Sequence, residues 1–179
     1  MRPTARHLLV AAALVPVGCG LLNRGASERT PPTSASATLV DRNGRTVGTA
    51  TLTTTGQGVL LSASFTGLGA GTHAIHVHDI GLCTPNFDAA GGHFNPGNRQ
   101  HGFRNPAGAH AGDMPNIHVS PSGALTTEIL LSGVALAGTR GILDENGAAI
   151  VVHANADDYT TDPAGNSGER VACGVLAGH

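Results

Sequence analysis

Between Ile80 and Asn116 the chain runs through Gly, Pro, Asn and His with almost no strand character. So long an irregular stretch inside a compact domain is uncommon, and it is usually functional or disordered. Cys83, His93, His101 and His110 lie within it and argue against disorder. Any fold adopted by this chain must therefore carry a long loop held by something other than buried apolar area.

The flanking sequence predicts what carries the loop. Apolar and polar residues alternate with period two in Thr46 to Leu52, Gly58 to Phe65, Thr72 to His78, Leu125 to Leu131, Ala149 to His153 and Arg170 to Leu176. Asn43-Gly44 and Asn146-Gly147 are hairpin signals, and Ser122-Gly123 is a weaker one. No stretch shows a helical period. With 26 glycines, no Trp and a single Tyr, the apolar positions fall to Ala, Val, Leu and Ile, so an all-β domain rich in turns is expected. A second irregular segment spans Ala154 to Glu169.

The N-terminus is of another kind. Arg2 and Arg6 precede an apolar run from Leu8 to Val17 that is too short to span a bilayer, which predicts a signal segment over residues 1–18. Gly18-Cys19 ends it as in a bacterial lipoprotein signal, with Cys19 the lipidated residue, although Pro16 departs from the aliphatic residue usual there. Residues 19–37 are expected to be a flexible tether and 38–179 the domain. The expected location is the cell envelope or periplasm, on a lipid anchor. Three cysteines are an odd count for an exported chain, and Cys19 stands apart from Cys83 and Cys173.

His76 and His78 are two apart in an alternating run, so on a strand both side chains face one side, as two ligands of one metal would. His73 is out of phase and is expected to face away. His93, His101, His110 and Asp113 follow in the Gly-rich loop. Three imidazoles and a carboxylate make a complete tetrahedral set for zinc with no open position. His153 ends an apolar strand and is the remaining candidate. Seven ligands suit two metals better than one.

These motifs resemble a known family. Gly71-Thr-His-Ala-Ile-His-Val-His78, Gly81 and Cys83, Gly92-His-Phe-Asn-Pro96, His101-Gly102, His110-Ala-Gly-Asp113, Val151-Val-His153 with Asp157-Asp158, and Gly165 to Gly174 are similar, in order and spacing, to the signatures of the copper/zinc superoxide dismutases. The resemblance implies an eight-stranded Greek-key β-barrel or sandwich with long metal-binding loops. It implies copper on His76, His78, His93 and His153, and zinc on His93, His101, His110 and Asp113. His93 would bridge the two metals as an imidazolate and carry a proton. Asp157 would hydrogen-bond His76 and His101, Cys83 and Cys173 would form a disulfide, and Arg170 would stand beside copper as a catalytic residue.

The implied reaction is dismutation of superoxide. A cell-surface copper/zinc-binding protein without turnover is the alternative, and a structural adhesin domain is a third. The whole chain carries a formal charge of −2, which suggests no nucleic-acid partner. Within residues 38–179 six arginines face eleven acids, leaving −5, and the chain has no lysine to steer an anion. Arg170 must therefore supply most of the local field, with Arg99 and Arg104 as expected helpers. Homodimer and monomer both stay open.

Overall fold

The computed structural model describes residues 30–179. The expected signal segment and Cys19 lie outside the described residues. Ten strands follow in chain order: β1 (Ser34–Asp41), β2 (Thr46–Thr55), β3 (Gly58–Phe65), β4 (Gly71–His73), β5 (Ile75–His78), β6 (Ile117–Val119), β7 (Leu125–Ser132), β8 (Ala149–His153), β9 (Arg170–Val175) and β10 (Ala177–Gly178). One short 3-10 helix, Phe87–Ala90, lies in the long loop.

Eight strands form one antiparallel sheet in the order β5-β8-β9-β1-β2-β3-β7, with β10 also paired to β1; β4 and β6 form a separate pair. The sheet curls about a single core in which Ile75 and Val77 of β5 meet Leu52, Leu61 and Leu131 from the strands at its other end. Alternation explains the enclosure. Each strand sends every second side chain inward, so short runs of Leu, Val, Ile and Ala suffice to fill the interior.

The strand pattern departs from expectation in two places. The tether boundary at residue 37 falls inside β1, because Ala35 and Ala37 are buried and Ser34 already pairs with Thr53. Small alanines fill the core without raising the hydropathy of the segment, which disguises the strand as spacer. The run Thr72 to His78 is broken at Ala74, whose N–H donates to Asn155 O at 2.8 Å instead of continuing a ladder. The chain thereby leaves β6 and joins β8.

Two features set the site on the outside of the barrel. His76 and His78 alternate with the core residues Ile75 and Val77 and so face outward, toward the loops. The free edge of β5 is covered by the long loop: Val77 N–H donates to Gly112 O at 3.0 Å, and Phe94 N–H donates to Val77 O at 2.8 Å. A Cβ on Gly112 would lie 2.4 Å from Val77 O, so only glycine permits this approach.

The loop is also fastened covalently. Cys83 is disulfide-bonded to Cys173 of β9, with Cα atoms 5.9 Å apart and a sequence separation of 90. Beneath it Phe87, Ala90, Ala149 and Val151 form a small apolar cluster of their own. In the chain-entropy account a cross-link closing so long a loop contributes about 4–5 kcal/mol. Replacing both cysteines by Ser should lower unfolding stability by about that amount in a denaturant titration and expose residues 81–116 to protease first. Equal stability with and without the cross-link would refute this.

Candidate metal centre

Backbone pairing brings the long loop alongside β5 and β8. His76 bridges to Asp113 and His78 to His93 across the edge of β5, while His76 faces Val151 of β8, two residues before His153. Side chains 75 residues apart in sequence thus share one face.

Four imidazoles converge there. His76, His78 and His153 are 0–3 % exposed and His93 is 7 % exposed, and one nitrogen of each can come within 4.8 Å of the others. The inner atoms are His76 Nδ1, His78 Nε2, His93 Nε2 and His153 Nε2, and none has a hydrogen-bond partner. Most of the outer nitrogens are held by acceptors: His76 Nε2 by Asp157 Oδ2 at 2.9 Å, His78 Nδ1 by Gly91 O at 3.0 Å, and His93 Nδ1 by Asp113 Oδ1 at 2.9 Å. His153 Nδ1 lies 3.1 Å from Ser167 Oγ and 3.3 Å from Gly168 O. A proton on each outer nitrogen leaves the four inner lone pairs free within 4.8 Å of one another, as a shared metal requires.

Burial keeps these rings neutral. It drives His93 down to about 4 and His153 to about 3, and lowers His76 and His78 as well. Neutral imidazole is the metal-binding form, so this set is poised for metal at physiological pH.

A second cluster lies on the other side of His93. Asp113 Oδ1 is 2.9 Å from His93 Nδ1, 3.1 Å from His101 Nδ1 and 3.3 Å from His110 Nδ1, and the His93 and His110 nitrogens are 3.4 Å apart. Ligands at 2.0–2.1 Å from a tetrahedral zinc stand about 3.3 Å from one another. The observed spacings are close to the edges of that tetrahedron. Asp113 Oδ2 accepts from the Gly102 and His110 amides, both at 3.0 Å, which fixes the carboxylate. Burial works against ionising Asp113, yet the surrounding imidazoles and the Gly102 amide outweigh it and hold the carboxyl well below the usual range.

His101 links the clusters. Its Nδ1 meets Asp113 and its Nε2 meets Asp157 Oδ1 at 2.9 Å. Burial opposes charging this ring, but the two carboxylates outweigh burial and push it up to about 9. Asp157 is likewise held below the usual range: burial opposes its ionisation, but hydrogen bonds from His101 and His76 prevail.

Arg170 lies across from His153 in the β8–β9 register, and both line an open cleft with His93, Asn95 and Asp79. Its guanidinium donates to Phe87 O at 2.7 Å and Gly91 O at 2.6 Å. Gly91 O thus receives both Arg170 and His78. Arg99 and Arg104 are turned elsewhere: Arg99 Nε donates to Gly108 O at 2.9 Å, and Arg104 lies over the Tyr159 ring. Among the described residues, Arg170 is the one arginine lining the cleft.

His73 faces away from both clusters, with its nitrogens at Gly69 O and His153 O. Three contributors escaped the sequence. Asn116 donates from Nδ2 to Asp157 O at 2.9 Å and accepts from Asp157 N–H at 2.8 Å, Ser167 meets His153, and Gly91 contributes a carbonyl. Residue type carries no signal for contacts made to or by backbone groups, and a serine in a Gly-rich loop is not distinguished from other turn residues.

Residues 46–176 match the family model described as copper/zinc superoxide dismutase. The chain belongs to that family. It is 42 % identical over 144 residues to superoxide dismutase [Cu-Zn] 1 of Aquifex aeolicus, covering 78 % of this chain and 85 % of the relative. It is 44 % identical over 148 residues to superoxide dismutase [Cu-Zn] of Caulobacter vibrioides, with 80 % and 85 % covered. The crystal structure of a SOD-like protein from Bacillus subtilis superposes with a TM-score of 0.76 at 37 % identity, over 83 % of this chain and all of the other. The family's cofactors are copper and zinc, its reaction is superoxide dismutation, and the chain takes both with its membership.

The charge state of His101 gives a pH test. Zinc held at this cluster would have to displace the proton from His101 Nδ1, so below about pH 9 each rise of one pH unit would remove a tenfold competition, and above it the effect would end. Zinc affinity of the metal-free protein, measured by chelator competition, should rise about tenfold from pH 7 to pH 8. A flat profile over that interval would contradict the assignment of His101.

Proposed function

We propose that dismutation runs at the four-histidine cluster, with copper on His76, His78, His93 and His153 and zinc on His93, His101, His110 and Asp113. The observation that carries this reading is the set of four buried nitrogens without partners beside a complete tetrahedral donor set, joined through one ring. When bound, copper would supply the alternating one-electron exchange with superoxide, for which zinc lacks a second oxidation state.

The chain's own residues supply the rest. Two superoxide anions and two protons become one oxygen and one hydrogen peroxide, so the site must attract an anion and deliver protons. Arg170, fixed by two carbonyls at the mouth of the cleft, provides a charge that is always protonated. At about 5 Å and an effective dielectric near 20 it attracts an anion by roughly 3 kcal/mol before screening. His93 turns Nδ1 to the zinc cluster and Nε2 to the copper cluster, so Nε2 can hold a proton and release it to the reduced oxygen species.

A metal-binding relative without turnover is the second reading, favoured by the likeness to the superoxide dismutase-like Bacillus subtilis protein, 38 % identical over 189 residues. Two crystal structures from that organism carry substitutions that introduce histidine. In this chain both clusters are complete and Arg170 lines the cleft, which supports the enzyme. Purified protein should hold one copper and one zinc. Arg170→Ile should keep both and lose about 10- to 100-fold in activity, within the range of focused fields, for which this family's enzymes are a known example. Full activity in that variant with both metals present would remove Arg170 from the mechanism.

We further propose an envelope location on a lipid at Cys19, supported by the short apolar run and the polar spacer after it. Cys19→Ser should move the protein from the membrane fraction to the soluble fraction or leave an unprocessed precursor. A wild-type N-terminus without lipid mass would dismiss the anchor.

A further inference from the structure

One side chain that joins the two irregular segments, Tyr159, lies outside both donor sets. Tyr159 has φ 63°, in the left-handed region that non-glycine residues adopt only when their surroundings enforce it. Its N–H donates to Asp157 Oδ1 at 2.6 Å, its carbonyl accepts from Arg104 N–H at 2.9 Å, and its hydroxyl accepts from Asn116 N–H at 2.7 Å. The ring centroid lies 5.5 Å from the Arg104 guanidinium and 5.6 Å from the Phe103 ring. Gly102, beside the ligand His101, has φ 101°, and a Cβ there would stand 2.2 Å from Tyr159 O. The long loop is therefore shaped to admit this residue.

Asp157 is the carboxylate on which both clusters lean, with Oδ2 on His76 and Oδ1 on His101. Asn116 holds its backbone, but rotation of the carboxylate is fixed by its donors, His76 Nε2 and His101 Nε2, and by the Tyr159 amide. We propose that Tyr159 is a positioning residue that locks the Asp157 carboxylate in its bridging orientation and so couples closure of the two loops to both metal sites. This rests on the metal assignment made above. The ring and hydroxyl hold the left-handed turn, and the turn aims the amide at Asp157 Oδ1. Because Asn116 keeps the backbone in place, loss of the ring frees the carboxylate to swing without opening the barrel.

The test is a double-mutant cycle on the full chain. Zinc retention against a chelator and the copper absorption band are measured in wild type, Tyr159→Ala, Asp157→Asn and the double variant. Partners that orient metal ligands typically change affinity by about 10- to 100-fold, and Tyr159→Ala should weaken zinc by about tenfold and shift the copper band. Added to Asp157→Asn it should change little, because it acts through that carboxylate. Wild-type zinc retention in Tyr159→Ala, or losses that multiply in the double variant, would overturn the proposal. If Tyr159→Ala does not fold, Tyr159→Phe keeps the ring and should still weaken zinc by a measurable, smaller factor; unchanged retention overturns the proposal equally. The chain has one Tyr and no Trp, so its intrinsic emission reports on this residue alone. Zinc added to the metal-free wild type should change that emission, and a flat titration would again count against the latch. A wild type that binds no zinc at all would instead overturn the metal assignment, and this inference with it.

Discussion

Four imidazole nitrogens face one another inside the protein with nothing to accept or donate. A buried polar atom left in that condition costs about 1–3 kcal/mol, and burial further denies these rings the option of protonating. Much of the surrounding structure holds that unfavourable arrangement in place. The barrel supplies His76, His78 and His153 on rigid strands, the edge pairing on β5 delivers His93, and the disulfide ties the loop that carries it. On the assignment proposed above, metal uptake would turn the same atoms from a liability into ligands, so binding energy would also order the loop.

The two halves of the site are joined twice, once through the His93 ring and once through the Asp157 carboxylate. The second joint is the weaker and the more adjustable. An imidazole ring is rigid between its two nitrogens, whereas a carboxylate turns about one bond and must be held by its donors. That difference explains why both loops serve Asp157: Asn116 of the long loop fixes its backbone, and Gly165 of the second passes so close that a Cβ would lie 1.9 Å from its oxygen. The site is rigid where covalent structure allows it and tightly packed where it does not.

Much of this was legible in the sequence, for identifiable reasons. Alternation alone assigned His76 and His78 to one face and His73 to another, because a strand has only two sides. The motif spacing carried the remaining ligands through a family resemblance. What escaped was of two kinds. Small residues hid strands, as Ala35 and Ala37 do at the start of β1, because a residue can be buried without being conspicuously apolar. Backbone groups hid contacts, as the Gly91 carbonyl does beneath His78 and Arg170, because main-chain atoms are the same at every position. Arg99 and Arg104 were misjudged in the opposite sense: their charge is plain in the sequence, but their guanidinium groups serve loop structure rather than the cleft.

That leaves an anionic domain acting on an anion through one arginine. Asp79 lines the same cleft and Asp88 Oδ1 lies 3.9 Å from Arg170 Nε, so the field at the mouth is a difference between opposing charges rather than a positive patch. Screening decides the balance. Asp88 is exposed, with its side chain 83 % accessible, whereas the Arg170 side chain is 20 % accessible and faces the cleft that holds His93 and His153. Water and salt weaken an exposed charge more than a half-buried one, so the arginine prevails close to the site even though the acids prevail at long range. On the role proposed for Arg170, attraction would therefore be short-ranged: the cleft would capture anions that have already arrived rather than draw them from a distance, and guidance would depend on holding one guanidinium against the Phe87 and Gly91 carbonyls.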